Sequence, residues 1–484
     1  MTWTSWLALV WVWCSRLAIM WCVKTTKTEA AAAARIGARL AARKRWELLG
    51  QLRSCFARTG PWLQAGKYLG ALAGGLARRN GWTIAEHAGD RSPDRTQRLL
   101  NRACWDTFAA MGVVRRFAVT GLDEAARRSG RRRGLVVGVL DETGQEKTGS
   151  ATAGVQRQYL GCAGKVANGI NTVHLAYVRE RGGRALIGSR QWIPRAQIED
   201  PVKSVVMGIP VDLEFRTKGQ LAIDIAADAL GDGTWFDFFC GDEVYGRCTQ
   251  LREFFEDQAQ AYVLRVPRSF RLTLPGGQTM TCAQAASTLA ASAEVRSAGH
   301  GSKGTRWYRW SWLATASLRH CLLIRRHLRT GELAFHYCFV PGTQPLTLTR
   351  LIRAAGLRWP VEEQFRAGKD SLGLDESQVR LCTAIARHTV LVMAALAICA
   401  VTAALLHDRT STQAPPPARP GQPPPADPGM TALTIAEITR ILARAAPPGS
   451  ASYWLDWRRR HQARARWYHQ RTRLARDAAI TQAS

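Results

Sequence analysis

The spacing of apolar residues changes sharply along this chain near residue 130. Over 46–129 they recur at helical intervals with few strand-like alternations, which predicts a layer of helices. Ser92 is placed to cap a helix that Pro93 opens, so one is expected after the turn at Gly89, exposing Arg95, Gln97, Arg98, Asn101 and Arg102. From Leu135 the period shortens. Residues 135–141 form a compact apolar run, 171–179 and 185–192 alternate, and 235–241 and 261–266 read as further strands. Helical periods at 221–230 and 250–258 separate the later strands, so the pattern predicts an α/β fold built on a mixed sheet with flanking helices. Asp141 and Asp242 are then expected at the ends of neighbouring strands.

Beyond Pro267 the texture changes again. Turn signals at Pro275-Gly276-Gly277 and two β-like runs, 321–326 and 333–340, predict a β-rich insertion. Helices are expected at 347–357 and from Pro360 onward. The uncharged run 389–406 is long enough to span a bilayer but reads as a buried helix, so a membrane partner is not expected. Residues 414–429 form a Pro-rich linker, and Thr434 with Glu437 makes a capping box for a short helix. The expected organisation is an N-terminal extension (1–50), a helical domain (51–130) whose Arg95, Gln97, Arg98, Asn101 and Arg102 could enter a DNA groove, a core in two parts (131–266 and 345–407) split by the insertion (267–344), a linker (408–430), and a helix with a basic tail (431–484). The Trp-rich start, 1–23, carries Arg16, and its lysines follow it, unlike a secretory leader.

Charge narrows the partner. With 67 Lys and Arg against 37 Asp and Glu, the net charge is +30, which points to a polyanion, nucleic acid before an anionic membrane. Residues 451–484 hold eight Arg against two Asp, interleaved with Trp467, Tyr468 and His469, a mixture suited to phosphates and exposed bases. The 12 cysteines include no C-x-x-C pair, which fits reduced thiols in a cytoplasmic, nucleoid-associated protein and gives no zinc site. No H-E-x-x-H occurs. Gly161, Gly164 and Lys165 only approximate a phosphate-binding loop, since Val166 replaces its hydroxyl residue, and an ATP-driven enzyme is disfavoured.

Three acids remain as the candidate chemistry: Asp141 in LVVGVLDETG, Asp242 in FFCGDEVYG and Glu362 in RWPVEEQFRAGK. Carboxylates from two strand ends and a helix can hold a pair of Mg²⁺ (or Mn²⁺) ions against a phosphodiester, because hard cations take oxygen ligands. Pro360 places Glu362 in the first helical turn, with Lys369 two turns on along one face and Arg358 just outside. Glu142, Glu243 and Glu363 read as flanking residues, and His174 and His388 as structural residues with satisfied ring nitrogens. Arg157, Lys165, Arg247, Lys303 and Arg306 are candidate phosphate contacts, with Arg98 and Arg102 on the helical layer.

On these residues the chain resembles a DDE-type insertion-sequence transposase with an RNase H-like, retroviral-integrase-like core, of the insertion sequence four superfamily. Arg358, Glu362 and Lys369 match its Tyr-x2-Arg-x3-Glu-x6-Lys signature, with Ala355 at the Tyr position, and Tyr245-Gly246 after Asp242 also fits. The likeness extends through GVQRQYLGCAGKVANG, FRTK, YVLRVP, GSKGTRWY and GLDESQVR. It implies catalytic, metal-binding Asp141, Asp242 and Glu362, use of two Mg²⁺ or Mn²⁺ ions, cleavage at transposon ends and DNA-end binding by the helical domain (51–130), with the 3′-hydroxyl released by the cut then joined to target DNA. It further implies a homodimer that pairs two terminal inverted repeats, with no small-molecule substrate. The Tyr handles a distorted nucleotide in that family, and Trp359 is the aromatic residue here that would stack instead. A cellular endonuclease of the same fold, or a DNA-binding protein that no longer cuts, would share much of this pattern.

Overall fold

In a computed structural model, the structure describes residues 28–131, 134–289, 292–301, 304–413, 429–445 and 459. The run 1–23, most of the Pro-rich linker, Lys303 and all of the basic tail except Arg459 lie outside the described residues.

One sheet of ten strands runs through the molecule: β1 (Val136–Glu146), β2 (Gln156–Leu160), β3 (Lys165–Arg179), β4 (Gly183–Trp192), β5 (Phe238–Gly241), β6 (Tyr262–Val266), and, beyond a separate β7–β8 pair (Arg271–Thr273, Thr279–Thr281), β9 (Glu294–Gly301), β10 (Gly304–Ala314), β11 (His320–His327) and β12 (Leu333–Phe339). Its central order is β4-β3-β1-β5-β6. The first three are antiparallel neighbours, and β5 and β6 lie parallel to β1. This is the expected RNase H-like mixed sheet. Residues 136–140 are buried on both faces, which explains their unbroken apolar run.

Apart from the β7–β8 pair, the β-rich stretch does not form a sheet of its own. β12 pairs antiparallel with β6, and β11, β10 and β9 follow outward, so the insertion extends the core sheet. A small apolar cluster around Leu272, Cys282 and Phe335 packs against its inner strands, β11 and β12.

Helices cover the other side. Residues 28–51 are helical and are followed by Thr59–Leu72, Gly81–His87, Asp94–Asn101 and Thr107–Arg128. The helix after Gly89 begins one residue later than expected: Pro93 occupies the cap, and the Ser92 hydroxyl donates to Asp94 instead. Cys382–Thr410 is the central helix, and it packs on Thr107–Arg128 and β4. An 18-residue stretch of it has a mean hydropathy of 2.6, which would suit a membrane, yet 83% of that stretch is buried within the protein. At Gly121 a side chain would meet Val401 at 2.6 Å, so glycine there permits the close approach of the two helices. The cysteines among the described residues are unpaired. The Thr434–Glu437 capping box forms as read and opens Ile435–Ala445.

Candidate active site

The parallel pairing of β1 with β5 ends at Leu140 opposite Gly241, and the next residue on each strand is an aspartate. Asp242 leaves its strand and caps the single turn Glu243–Gly246, its Oδ1 accepting the Val244 N–H at 2.9 Å. Gly246 closes that turn against β6, where a Cβ would lie 1.8 Å from the Arg265 carbonyl oxygen. Asp141 departs from the sequence expectation. It lies inside β1, because five further residues stay paired to the long strand β3. Only its neighbour β5 ends beside it, and that opens the space into which its carboxylate projects.

The third acid arrives on the helix Pro360–Leu372, with Pro360 at its start and Glu362 in the first turn. Arg358 joins the groups. One terminal nitrogen donates to Asp141 Oδ2 at 3.1 Å and the other to Glu362 Oε1 at 2.9 Å. Burial raises the Asp141 pKa to about 7; Arg358 opposes the shift, and the nearby charges of Asp242 and Glu362 add to it. Burial likewise pushes Asp242 up, against its backbone hydrogen bond and the charges of Arg358 and Lys218. For Arg358 burial works against the charge, but Asp141 and Glu362 hold its pKa above the ordinary value.

The flanking acids sort themselves by partner. Glu142 pairs with Lys218, Glu243 with Arg265 at 3.3 Å, and Glu363 with Arg184. Each has its own cation, whereas Asp141 and Glu362 share one. Lys218 and the Tyr245 contact were missed in the sequence. Thr217 and Gln220 form a capping box that starts a helix at Lys218, a signal legible in T-x-x-Q. Tyr245 is fully buried and donates to Glu142 at 3.4 Å, beneath the two aspartates.

The remaining candidates scatter. Lys369 donates to the Gly144 carbonyl at 3.2 Å, farther along β1. Arg157 and Lys165 are exposed on β2 and β3, and Arg247 is exposed just after the Asp242 turn. Arg98 and Arg102 are exposed on the helical layer, and the nitrogens of Arg306 include one bonded to the carbonyls of Ala298 and Gly356. His388 is satisfied, by Tyr68 and the Gly373 carbonyl. His174 is not: both its ring nitrogens are buried without a partner, burial holds its pKa at about 3, and it packs edge-on against Phe365.

By donor chemistry, the carboxylates of Asp141, Asp242 and Glu362 fit hard divalent cations. Their present spacing is another matter. Among the described residues no three His, Cys, Asp or Glu side chains are grouped to hold one ion, and the Arg358 guanidinium stands between Asp141 and Glu362.

Comparison with known proteins now bears on this geometry. Residues 51–289 match the DDE superfamily endonuclease family. The match spans just under half of the chain, includes Asp141 and Asp242, and ends before Glu362; it supports a nuclease-type enzyme. No curated protein matches by sequence. Among solved structures, a piggyBac transposase synaptic complex with hairpin DNA, determined by cryo-EM, aligns at 9% identity and a TM-score of 0.38, covering 88% of this chain and 81% of that one. That likeness is too distant to carry a functional argument.

The burial of Asp141 has a measurable consequence. Between its unfolded value, near 3.8, and about 7, the folded protein holds a proton that the unfolded chain has released. Metal-free stability should therefore fall as pH rises through that window, by up to ~4 kcal/mol, and level off above it. Asp242 adds a change of the same sign. Urea unfolding at pH 5 and pH 8 checks this on the order of a few kcal/mol, and Asp141→Asn should flatten the difference.

Proposed function

We propose that the chain is a DDE transposase of the insertion sequence four type, which cuts DNA at the ends of a mobile element and joins the resulting 3′-hydroxyl to target DNA. The observation that carries this reading is that Arg358 bridges Asp141 and Glu362, with Asp242 following the adjacent strand end and within electrostatic reach of Asp141 and Arg358, while the neighbouring acids are each paired separately. Asp141, Asp242 and Glu362 would hold Mg²⁺ or Mn²⁺, two ions in the proposed form. Such ions supply charge stabilisation for the attacking and leaving oxygens of a phosphoryl transfer.

The chain's own residues do the rest. Asp242 keeps one oxygen on its backbone cap and leaves the other to face the site. Glu142, fixed by Lys218 and Tyr245, braces the space below. Arg358 and Lys369 orient the DNA backbone, and the exposed Arg157, Lys165, Arg247, Arg98 and Arg102 extend that contact, each an electrostatic and sequence-independent term. The partners are then the terminal inverted repeats and target DNA. Pairing two ends calls for a homodimer, acting in the cytoplasm on the nucleoid.

The test is a cleavage assay on DNA carrying the inverted repeats that flank the gene. With Mg²⁺, nicks leaving a 3′-hydroxyl at the repeat tips, followed by joined products, are expected. No cutting with Mg²⁺ or Mn²⁺ would contradict the enzyme, and equal cutting of unrelated DNA would replace the transposase with a general nuclease.

A further inference from the structure

We propose that Arg358 is a removable internal counter-cation that makes metal binding and DNA binding depend on one another. The inference rests on the reading of Asp141, Asp242 and Glu362 as metal ligands. Its starting point is that an ionised guanidinium already bridges two of those ligands, Asp141 and Glu362. Arg358 lies on the short link between Leu348–Gly356 and Pro360–Leu372, and its side chain is only 20% exposed. It takes one oxygen from Asp141 and one from Glu362. A divalent cation drawing on the same carboxylates would face a full positive charge at contact distance, which weakens its binding while Arg358 stays. The ion binds tightly only once Arg358 has turned away.

Where Arg358 can go is set by its surroundings. On the insertion side, His336 is buried, and the charges of Arg325, Arg265 and Arg358 all act on it, so these groups share one neighbourhood. Arg325 lies over the Tyr308 ring at 4.7 Å, and its Nε is buried without a hydrogen-bond partner. His336 Nδ1 is also without one. Glu243 answers Arg265 at 3.3 Å, so the charge that this wall turns on Arg358 is chiefly that of Arg325. Alone it repels Arg358 toward the acids. With a DNA phosphate against it, the same wall offers Arg358 an anionic partner beside Arg325, in the planar geometry that guanidinium and phosphate favour.

The consequence is a coupled equilibrium. In the free protein Arg358 offsets the carboxylates and suppresses metal binding. DNA draws Arg358 away, and the vacated oxygens accept metal. By linkage, metal must then tighten DNA binding by the same factor. A nuclease built this way is restrained until DNA is present.

The experiment measures Mn²⁺ binding to the full chain, by the loss of the free-Mn²⁺ paramagnetic resonance signal. It uses wild type, Arg358→Gln and Arg358→Lys, each with and without a short duplex that already ends in a 3′-hydroxyl, so that no cleavage intervenes. For wild type, the duplex should raise Mn²⁺ affinity about tenfold or more. Without DNA, Arg358→Gln should bind Mn²⁺ about tenfold more tightly than wild type, and the duplex should add less than about threefold. Arg358→Lys keeps the charge and should stay weak without DNA, which separates the effect from general damage. Equal Mn²⁺ affinities in wild type and Arg358→Gln, with the same response to DNA, would overturn the counter-cation while leaving the metal site standing. No Mn²⁺ binding to any of the three, with or without DNA, would overturn both it and the metal-dependent reading.

Discussion

Asp242→Asn is expected to lower Mg²⁺-dependent cleavage of repeat-bearing DNA by on the order of 10³-fold or more, while DNA affinity stays within about threefold. The choice of asparagine matters. Its side-chain oxygen can still accept the Val244 N–H, so the turn Glu243–Gly246 keeps its cap and the sheet its geometry. What is lost is the negative charge and the second carboxylate oxygen. Kinetics of nicking under single turnover, set beside a binding titration of the same duplex, separate the two effects. Undiminished cutting by this variant would remove Asp242 from the chemistry, whatever its position.

Glu362→Gln and Glu363→Gln form the second contrast. They are adjacent on one helix, equally acidic and similarly exposed, at 43% and 40%, so exposure cannot tell them apart. Their partners can. Glu362 shares Arg358 with Asp141, whereas Glu363 turns to Arg184 at the other side of the helix. Glu362→Gln should therefore abolish cleavage on the same scale as Asp242→Asn, by about 10³-fold. Glu363→Gln should keep activity within about threefold and cost at most ~1 kcal/mol of stability, the ordinary value of a solvent-screened pair. Parallel nicking assays and urea titrations decide between them, and equal losses from the two substitutions would refute the assignment.

The central sheet was legible in the sequence because its strands differ so plainly in pattern from the helical layer before them. The unbroken run 136–140 marked a strand buried on both faces, and a helix before each of β5 and β6 marked parallel neighbours. Hydrogen-bond pairing across distance was less visible. Nothing near Asp141 announces that β3 is long enough to hold β1 in register for five residues past it. Nor does local composition reveal that β12 joins β6, since a strand's own pattern does not say which edge it will meet.

At the site, residue types were legible and pairings were not. The three acids stood out by their contexts, but Lys218, Arg184 and Arg265 come from distant segments, and only the folded chain shows that they neutralise the acids beside the triad. In the sequence His174 reads as a structural residue with satisfied ring nitrogens, and the packing around Phe365 buries both nitrogens without supplying a partner.

The most direct test of the central claim is anomalous diffraction from Mn²⁺ in crystals of the chain bound to DNA. Manganese peaks ligated by Asp141, Asp242 and Glu362, with Arg358 turned onto a phosphate, are the expected result. Manganese bound elsewhere, or none at all with the three carboxylates held apart on DNA, would contradict it.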